Sequence, residues 1–147
     1  MTETDESKQI IHASCVALNS ATGLLICGPS GSGKSTLALS MMALGACLVS
    51  DDRTVVSRDA GTDVLRAEAP GPIRGQIEAR GVGILGGDPL PSCHIKAVVD
   101  LTHEETDRLP PMRTHVLIGV EIPMFLNVAG PHFPPALIQW LKGGRVA

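Results

Sequence analysis

A stretch of nine residues, GPSGSGKST from Gly28 to Thr36, restricts the possible fold more than any other part of this chain. It satisfies the template G-x-x-x-x-G-K-[ST], in which glycines bring backbone N–H groups close to phosphates while the lysine and the hydroxyl contact phosphate and Mg²⁺. The apolar run Leu24 to Cys27 precedes it, and good helix formers follow from Thr36 to Leu44. A strand, a glycine loop and a helix in this order predict a phosphate-binding α/β protein.

Most of the remaining sequence predicts short strands. One strand is expected from Ile10 to Leu18, another at "ACLV" after the first helix, and several more between Arg53 and Leu101, separated by Gly and Pro. Only one further helix is expected, at "PPALIQWLK" from Pro134 to Lys142, because proline is favoured in the first turn. We therefore predict a single strand-rich α/β domain over residues 1–147, with few helices and a flexible polar tail over residues 1–8.

The composition excludes several classes of partner. Hydrophobic residues make up 44% of the 147 residues but aromatic ones only 2%, so bases of a nucleic-acid strand find almost no stacking surface. The net charge is −3 and the twelve Lys and Arg residues are scattered, which argues against binding nucleic acid or an anionic membrane. A small molecule or a protein is the expected partner.

The sequence also predicts the cellular location of the protein. No apolar run approaches the roughly 20 residues of a membrane span, and the polar start "MTETDESKQ" does not match a secretory leader, so we predict a cytoplasmic protein. The four cysteines form no C-x-x-C pair. We therefore expect buried reduced thiols and no zinc site.

An acidic pair, Asp51 and Asp52, follows the strand after the first helix. Ligands of open α/β sheets bind at the carboxyl ends of strands, which is where this pair is expected to lie. Adjacent carboxylates repel each other unless a cation or a proton relieves them, and Mg²⁺ or a transferable proton could do so. A solvated turn, "SDDR", is the alternative interpretation.

These motifs together resemble a known family. The segment "GPSGSGKSTLALSMMALGACLVSDD", the eighteen-residue spacing from Lys34 to Asp52, and the signature Glu-x-Arg-Gly-x-Gly-Ile from Glu78 to Ile84 resemble the catalytic domain of bacterial HPr kinase/phosphorylase. "IIH" before the loop and "GVEIP" at Gly119 to Pro123 extend the likeness over most of residues 10–125. The resemblance implies a P-loop-containing mixed sheet related to phosphoenolpyruvate carboxykinase.

The resemblance also implies roles for residues around the loop. Asp52 would be the base that accepts the proton of the attacking serine, with Asp51 beside it, and the choice between the two is left open. Ser35, Glu78 and Asp51 would bind Mg²⁺, and Lys34 would hold the transferred phosphate. The nucleotide would be bound by Gly28, Pro29, Ser30, Gly31, Ser32, Gly33, Lys34, Ser35 and Thr36.

Two further positions match active-site residues of the family. His12 corresponds to its active-site histidine and Arg108, in "TDRL", to an active-site arginine. The alternatives are an ordinary strand histidine and a surface arginine.

The resemblance implies a kinase that uses ATP and Mg²⁺ to phosphorylate a serine of an HPr-type phosphocarrier, thereby regulating carbon and phosphotransferase metabolism. Family members assemble as hexamers, so a homo-oligomer is expected. Pyrophosphate as donor, an ATP-binding sensor without transfer activity, and a small-molecule kinase or ATPase remain alternatives.

The sequence also departs from the family pattern. The chain starts almost at the catalytic unit, so regulation through the family's amino-terminal domain is expected to be absent. Pro29 and Thr36 replace acidic residues of the family. The stretch "MFLNVAGPHFPP", Met124 to Pro135, lacks the arginines associated with the reverse, phosphate-dependent reaction. Because phosphate and phosphoserine need bidentate cationic donors, we predict weak or absent phosphorylase activity.

Overall fold

The computed structural model describes residues 7–147, and this part of the chain forms eleven strands and two α-helices. The strands are β1 (Lys8–Ile11), β2 (Ala13–Asn19), β3 (Thr22–Cys27), β4 (Cys47–Ser50), β5 (Thr54–Arg58), β6 (Leu65–Glu68), β7 (Gln76–Ala79), β8 (Gly83–Gly86), β9 (Ser92–Glu104), β10 (Arg113–Leu117) and β11 (Val120–Asn127). The helices are α1 (Lys34–Ala43) and α2 (Phe133–Gly143). The predicted strand-rich α/β fold with few helices is confirmed.

Nine of these strands form one mixed sheet. Its main order is β1-β5-β6-β9-β3-β2-β4, and β11 adds to β9 in parallel while β10 pairs with β11. Since β2 is antiparallel to both β3 and β4, these two strands run in the same direction on either side of it. Helix α1 makes the crossover between them, and β7 and β8 form a separate hairpin.

Two apolar clusters cover the two faces of the sheet. The first packs α1 and α2 against β2, β3, β4 and β9, and it includes Leu24, Ile26, Met41 and Leu48, all fully buried. The second lies among β2, β3, β5, β6, β9 and the hairpin of β10 and β11. Each fully buried aliphatic side chain contributes about 1.5–3 kcal/mol of transfer free energy, so these clusters stabilise the sheet that carries the loop and the acidic pair.

Several predicted boundaries were wrong. The strand expected from Ile10 to Leu18 is divided at His12, because β1 pairs with β5 whereas β2 pairs with β3 and β4. The tail predicted for residues 1–8 lies outside the described residues over 1–6, and Lys8 already begins β1. Strands β10 and β11 were not predicted. Proline disfavours a strand because it cannot donate a backbone hydrogen bond. Pro123 is tolerated in β11 because it precedes Met124, where the pairing of β11 with β9 begins.

The turn between β10 and β11 contains an unfavourable residue. Ile118 and Gly119 connect the paired residues Leu117 and Val120, and their φ angles are 49° and 75°. A two-residue hairpin turn with positive φ at both positions favours Asn-Gly, whereas a β-branched residue is strained there. Ile118 also packs partly against the second apolar cluster. A test of the strain must therefore compare two substitutions of Ile118 that both remove this contact.

We expect Ile118→Asn to be more stable than Ile118→Ala by about 1 kcal/mol, because both variants lose the same packing but only asparagine tolerates the left-handed conformation. Urea unfolding of the two variants measures the difference. Equal midpoints would contradict the assignment of strain to this turn.

Candidate active site

The glycine loop connects β3 to α1 and has the geometry of an anion cradle. Gly28, Gly31 and Gly33 have φ angles of 148°, 83° and 102°, which other residues rarely adopt. At Gly28 a Cβ atom would lie 2.6 Å from Ser32 Oγ, so the close approach of the chain to itself also requires glycine. The free N–H groups of the first turn of α1 follow directly, and such helix starts attract phosphate.

A cavity of about 350 Å³ opens over this loop. It brings together residues from four separated parts of the chain. The residues that line it are His12, Ser30, Gly31, Gly33, Lys34, Ser35, Thr36, Asp52, Glu78 and Arg80. The fold therefore places the predicted histidine, the second aspartate and the glutamate around the loop.

Asp51 is held in a buried network below the cavity and is only 7% exposed. Its Oδ1 accepts hydrogen bonds from the hydroxyls of Ser14 at 2.8 Å and Ser35 at 2.6 Å. Its Oδ2 accepts the backbone N–H of Glu78 at 3.1 Å. The carboxylate thus ties β2, α1 and β7 together and fixes the orientation of the Ser35 hydroxyl.

A tight turn separates Asp52 from Asp51. The N–H of Arg53 donates to the carbonyl of Asp51 at 2.7 Å, and Asp52 between them has a φ of 68°. A bond between residues i and i+2 with positive central φ is the rare, strained form of the γ-turn. Aspartate is among the few residues that tolerate this conformation. The two carboxylates, adjacent in sequence, therefore occupy different environments.

The Asp52 carboxylate faces the cavity, and its side chain is 64% exposed. His12 Nε2 lies 2.8 Å from Asp52 Oδ1, and with the carboxylate ionised the ring N–H is the donor. The backbone N–H of Asp52 donates to Ser14 Oγ at 3.2 Å. Asp52 is thus oriented from both sides while one of its oxygens stays available to a ligand.

Lys34 is nearly buried, with 6% of its surface exposed. Its ammonium donates to the carbonyls of Gly28 at 2.9 Å and Pro29 at 3.0 Å, so its charge lies against the loop. Within the described chain Ser32 Oγ is buried without a hydrogen-bond partner. An anion on the loop would find both groups in place, which fits the requirements of a phosphate site.

The structure distinguishes between two arginines. Arg108 lies in the exposed segment after β9 and is not among the residues that line the cavity, whereas Arg80, in the turn between β7 and β8, is one of them. The sequence contained a signal for Arg80, since it belongs to the signature that begins at Glu78. Ser14 was missed because a serine within a buried strand carries no motif.

The oxygen ligands near the loop fit Mg²⁺ accompanied by phosphates. Within residues 7–147, no three His, Cys, Asp or Glu side chains are close enough to hold a metal on their own. Mg²⁺ is usually bound through one or two carboxylates together with substrate phosphates and water. Ser35 Oγ and the Glu78 carboxylate, which line the same cavity, are suitable residues for such a shared site.

The four cysteines are free thiols. Burial raises the pKa of Cys27 to about 11. The contact of the buried Cys15 with Cys93, 3.6 Å between the sulfur atoms, raises the pKa of Cys15, and burial adds to it. These two thiols are therefore protonated at neutral pH and are poor nucleophiles.

In residues 7–147 neither helix is long and apolar enough to span a membrane.

A glycine loop between β3 and α1, with an acidic turn after β4, which runs parallel to β3 on the other side of β2, defines an α/β protein of the phosphate-loop class. The family model of the HPr Serine kinase C-terminal domain matches residues 5–125. The chain belongs to this family, which is that of the HPr kinase/phosphorylases. The resemblance noted from the loop, the acidic pair and the Glu78 signature is confirmed.

Curated relatives match over part of their length. The HPr kinase/phosphorylase of Alkaliphilus metalliredigens is 48% identical over 63 residues, or 43% of this chain and 20% of the relative. That of Caldanaerobacter subterraneus is 39% identical over 93 residues, covering 58% of this chain and 30% of the relative. The aligned part is thus less than a third of each relative's length.

A solved structure shows the same fold. The HPr(Ser) kinase/phosphatase from Coxiella burnetii superposes with a TM-score of 0.70, covering 91% of this chain and 93% of that chain at 23% identity.

Proposed function

We propose that this chain transfers a phosphoryl group from Mg²⁺-bound ATP to a serine of an HPr-type phosphocarrier protein. The observation that carries the proposal is the position of Asp52, which faces the cavity over the loop and is oriented by His12. Membership of the HPr kinase family supports the class of acceptor.

Asp52 acts as the general base. As the serine oxygen forms its bond to the terminal phosphorus and the bond to the leaving ADP oxygen breaks, the serine proton passes to the Asp52 carboxylate. A serine hydroxyl is a weak nucleophile at neutral pH, so a positioned carboxylate is useful here. His12 orients that carboxylate through the bond of 2.8 Å. Asp51 is unsuited to this role because both of its oxygens already accept hydrogen bonds.

The other residues bind the donor. Lys34 and Arg80 provide positive charge beside the phosphates, and Ser35 and Glu78 hold Mg²⁺, which neutralises charge on the phosphates when bound. Asp51 contributes by accepting the hydrogen bond that the Ser35 hydroxyl donates, which leaves the lone pairs of Ser35 Oγ free for the metal. We thus infer that Asp51 is a positioning residue rather than a direct ligand.

The surroundings of the cavity suit a protein acceptor. Hairpin β7–β8, which carries Arg80, exposes Val82 by 74% and Ile84 by 63%. Exposed apolar side chains that are clustered beside a polar cavity are typical of a surface that binds another protein. A small-molecule acceptor would not require them.

The same arrangement favours the forward reaction. Among the residues that line the cavity, the basic side chains are His12, Lys34 and Arg80. Residues 124–135, which form the end of β11 and the start of α2, contain no arginine. Binding free phosphate together with a phosphoserine needs more bidentate donors, so the reverse reaction should be weak.

Labelled ATP with Mg²⁺, incubated with and without a purified HPr-type carrier, tests the proposal. We expect label on a carrier serine, and phosphate-dependent removal of it at least about tenfold slower than its addition. Release of free phosphate with an unlabelled carrier would instead indicate an ATPase. Nucleotide binding without any turnover would indicate a sensor, and rapid phosphate-dependent removal would contradict the expected direction.

A further inference from the structure

The buried polar side chains are concentrated in one part of the protein. Within residues 7–147 they are Ser14, Lys34, Ser50, Asp51 and Thr54, and they lie at the glycine loop or beside the turn after β4. Burying a polar group is unfavourable unless it is hydrogen-bonded, so such a concentration requires a connected network. Ser14, which is fully buried, is the residue whose hydroxyl reaches both aspartates of this network.

The Ser14 hydroxyl connects Asp51 to Asp52. Its Oγ donates to Asp51 Oδ1 at 2.8 Å and accepts the backbone N–H of Asp52 at 3.2 Å. A hydroxyl has one proton and two lone pairs, so the bond to the Asp51 carboxylate uses the proton and a lone pair serves the amide. Because an ionised carboxylate can only accept and an amide N–H can only donate, the direction of both bonds is fixed.

These bonds act on the turn at Asp52. Its φ of 68° is unfavourable for a residue other than glycine, and a strained residue persists only where its surroundings impose the conformation. Ser14 binds the amide of Asp52, and His12 binds its carboxylate at 2.8 Å. The backbone and the side chain of Asp52 are thus held separately, and Ser14 acts on the backbone.

We propose that Ser14 is a positioning residue for the transfer reaction. Anchored on Asp51, it binds the amide of Asp52 and so holds the turn that directs the Asp52 carboxylate into the cavity. The inference rests on the proposed function, in which Asp52 is the general base. Ser14 is fully buried and is not among the residues that line the cavity, so it does not contact the donor. Its loss slows the chemical step and leaves ATP binding intact.

Thr54 provides a matched control for the loss of a buried hydroxyl. It is fully buried like Ser14, and its hydroxyl donates to the carbonyl of Ala13 at 2.9 Å. Thr54→Val therefore removes a buried hydrogen bond to the residue next to Ser14 and keeps both bonds of the Ser14 hydroxyl. A general loosening of this region would slow Ser14→Ala and Thr54→Val alike.

Single-turnover transfer of labelled phosphate to the carrier, combined with calorimetric titration of Mg²⁺-ATP, tests the proposal. We expect Ser14→Ala to lower the transfer rate about tenfold or more and to change the Kd of ATP by no more than about threefold, because a misplaced reacting group lowers the rate while the loop is intact. Ser14→Thr keeps the hydroxyl and should restore most of the rate, and Thr54→Val should match the wild type. Equal losses in Ser14→Ala and Thr54→Val would overturn the assignment.

A double variant tests whether Ser14 acts through Asp52. In the Asp52→Asn background the base is absent, so Ser14→Ala should lower the remaining rate by less than about twofold, since residues that act as a unit are not additive. A further loss as large as the one in the wild-type background would show that Ser14 acts by another route and would contradict the proposal.

The geometry of the turn can be measured without any transfer assay. The Cα and Cβ chemical shifts of Asp52, recorded by NMR without nucleotide, depend on its φ and ψ angles. We expect Ser14→Ala to move them towards the values of an unstructured aspartate, and Thr54→Val to leave them in place. Unchanged shifts in Ser14→Ala would overturn the assignment of Ser14 to the turn. If the shifts move but the wild-type chain never labels the carrier, that assignment stands and the proposed function fails.

Discussion

Asp52→Asn is expected to lower kcat for phosphorylation of the carrier by about 10²–10⁴-fold, because asparagine cannot accept the serine proton. Asparagine has the same shape and, like aspartate, tolerates the φ of 68° at this position, so the turn should persist. The Kd of ATP, measured in the same preparation, should change by no more than about threefold, since Lys34 and the loop are intact. Single-turnover transfer of labelled phosphate measures the chemical step.

Asp88→Asn is the matched control, since it removes an exposed carboxylate that does not line the cavity. Its kcat should equal that of the wild type. A variant at Asp52 that retains wild-type kcat would show that another group accepts the proton. Loss of ATP binding together with kcat would show that Asp52 acts on the donor instead.

Lys34→Ala is expected to abolish the thermal stabilisation by Mg²⁺-ATP. A ligand present at about 100 times its Kd stabilises the folded state by about 2.7 kcal/mol, which for a domain of this size raises the Tm by roughly 5–10 °C. Lys34 is the buried cation of the loop, and its ammonium contacts the carbonyls of Gly28 and Pro29. Without it the phosphates lose their main positive contact.

The measurement is the change in Tm that Mg²⁺-ATP causes, determined by differential scanning fluorimetry for Lys34→Ala, for a control variant and for the wild type. Comparing this difference removes any direct effect of the substitution on stability. Lys142→Ala, at the exposed end of α2, is the control and should keep the full shift. An undiminished shift in Lys34→Ala would mean that the nucleotide binds elsewhere.

Local sequence was sufficient for the loop and for the class of fold. Gly28, Gly33, Lys34 and Ser35 act through neighbouring residues of one strand, one turn and one helix, so their spacing alone carries the information. The Glu78 signature and the acidic pair identified the family for the same reason. Strand β11 escaped prediction because proline disfavours a strand. Pro123 pairs with Thr114 of β10 and precedes the residues that pair with β9, a strand distant in sequence.

The roles of the two aspartates depend on the tertiary structure. In the sequence they are equivalent neighbours, but the turn at Asp52 directs one carboxylate to the cavity and leaves the other among the donors from Ser14 and Ser35. Those donors come from β2 and α1, distant in sequence, and no spacing rule could assign them.

The sequence by itself determined that this chain has a phosphate loop on an α/β sheet and belongs to the HPr kinase family. Only the tertiary structure decided that Arg80 rather than Arg108 lines the cavity and that the Ser14 hydroxyl contacts both aspartates. The physical reason is that a loop motif is encoded by adjacent residues. A cavity is formed by side chains that only the packing of separate strands and helices brings within reach of one another.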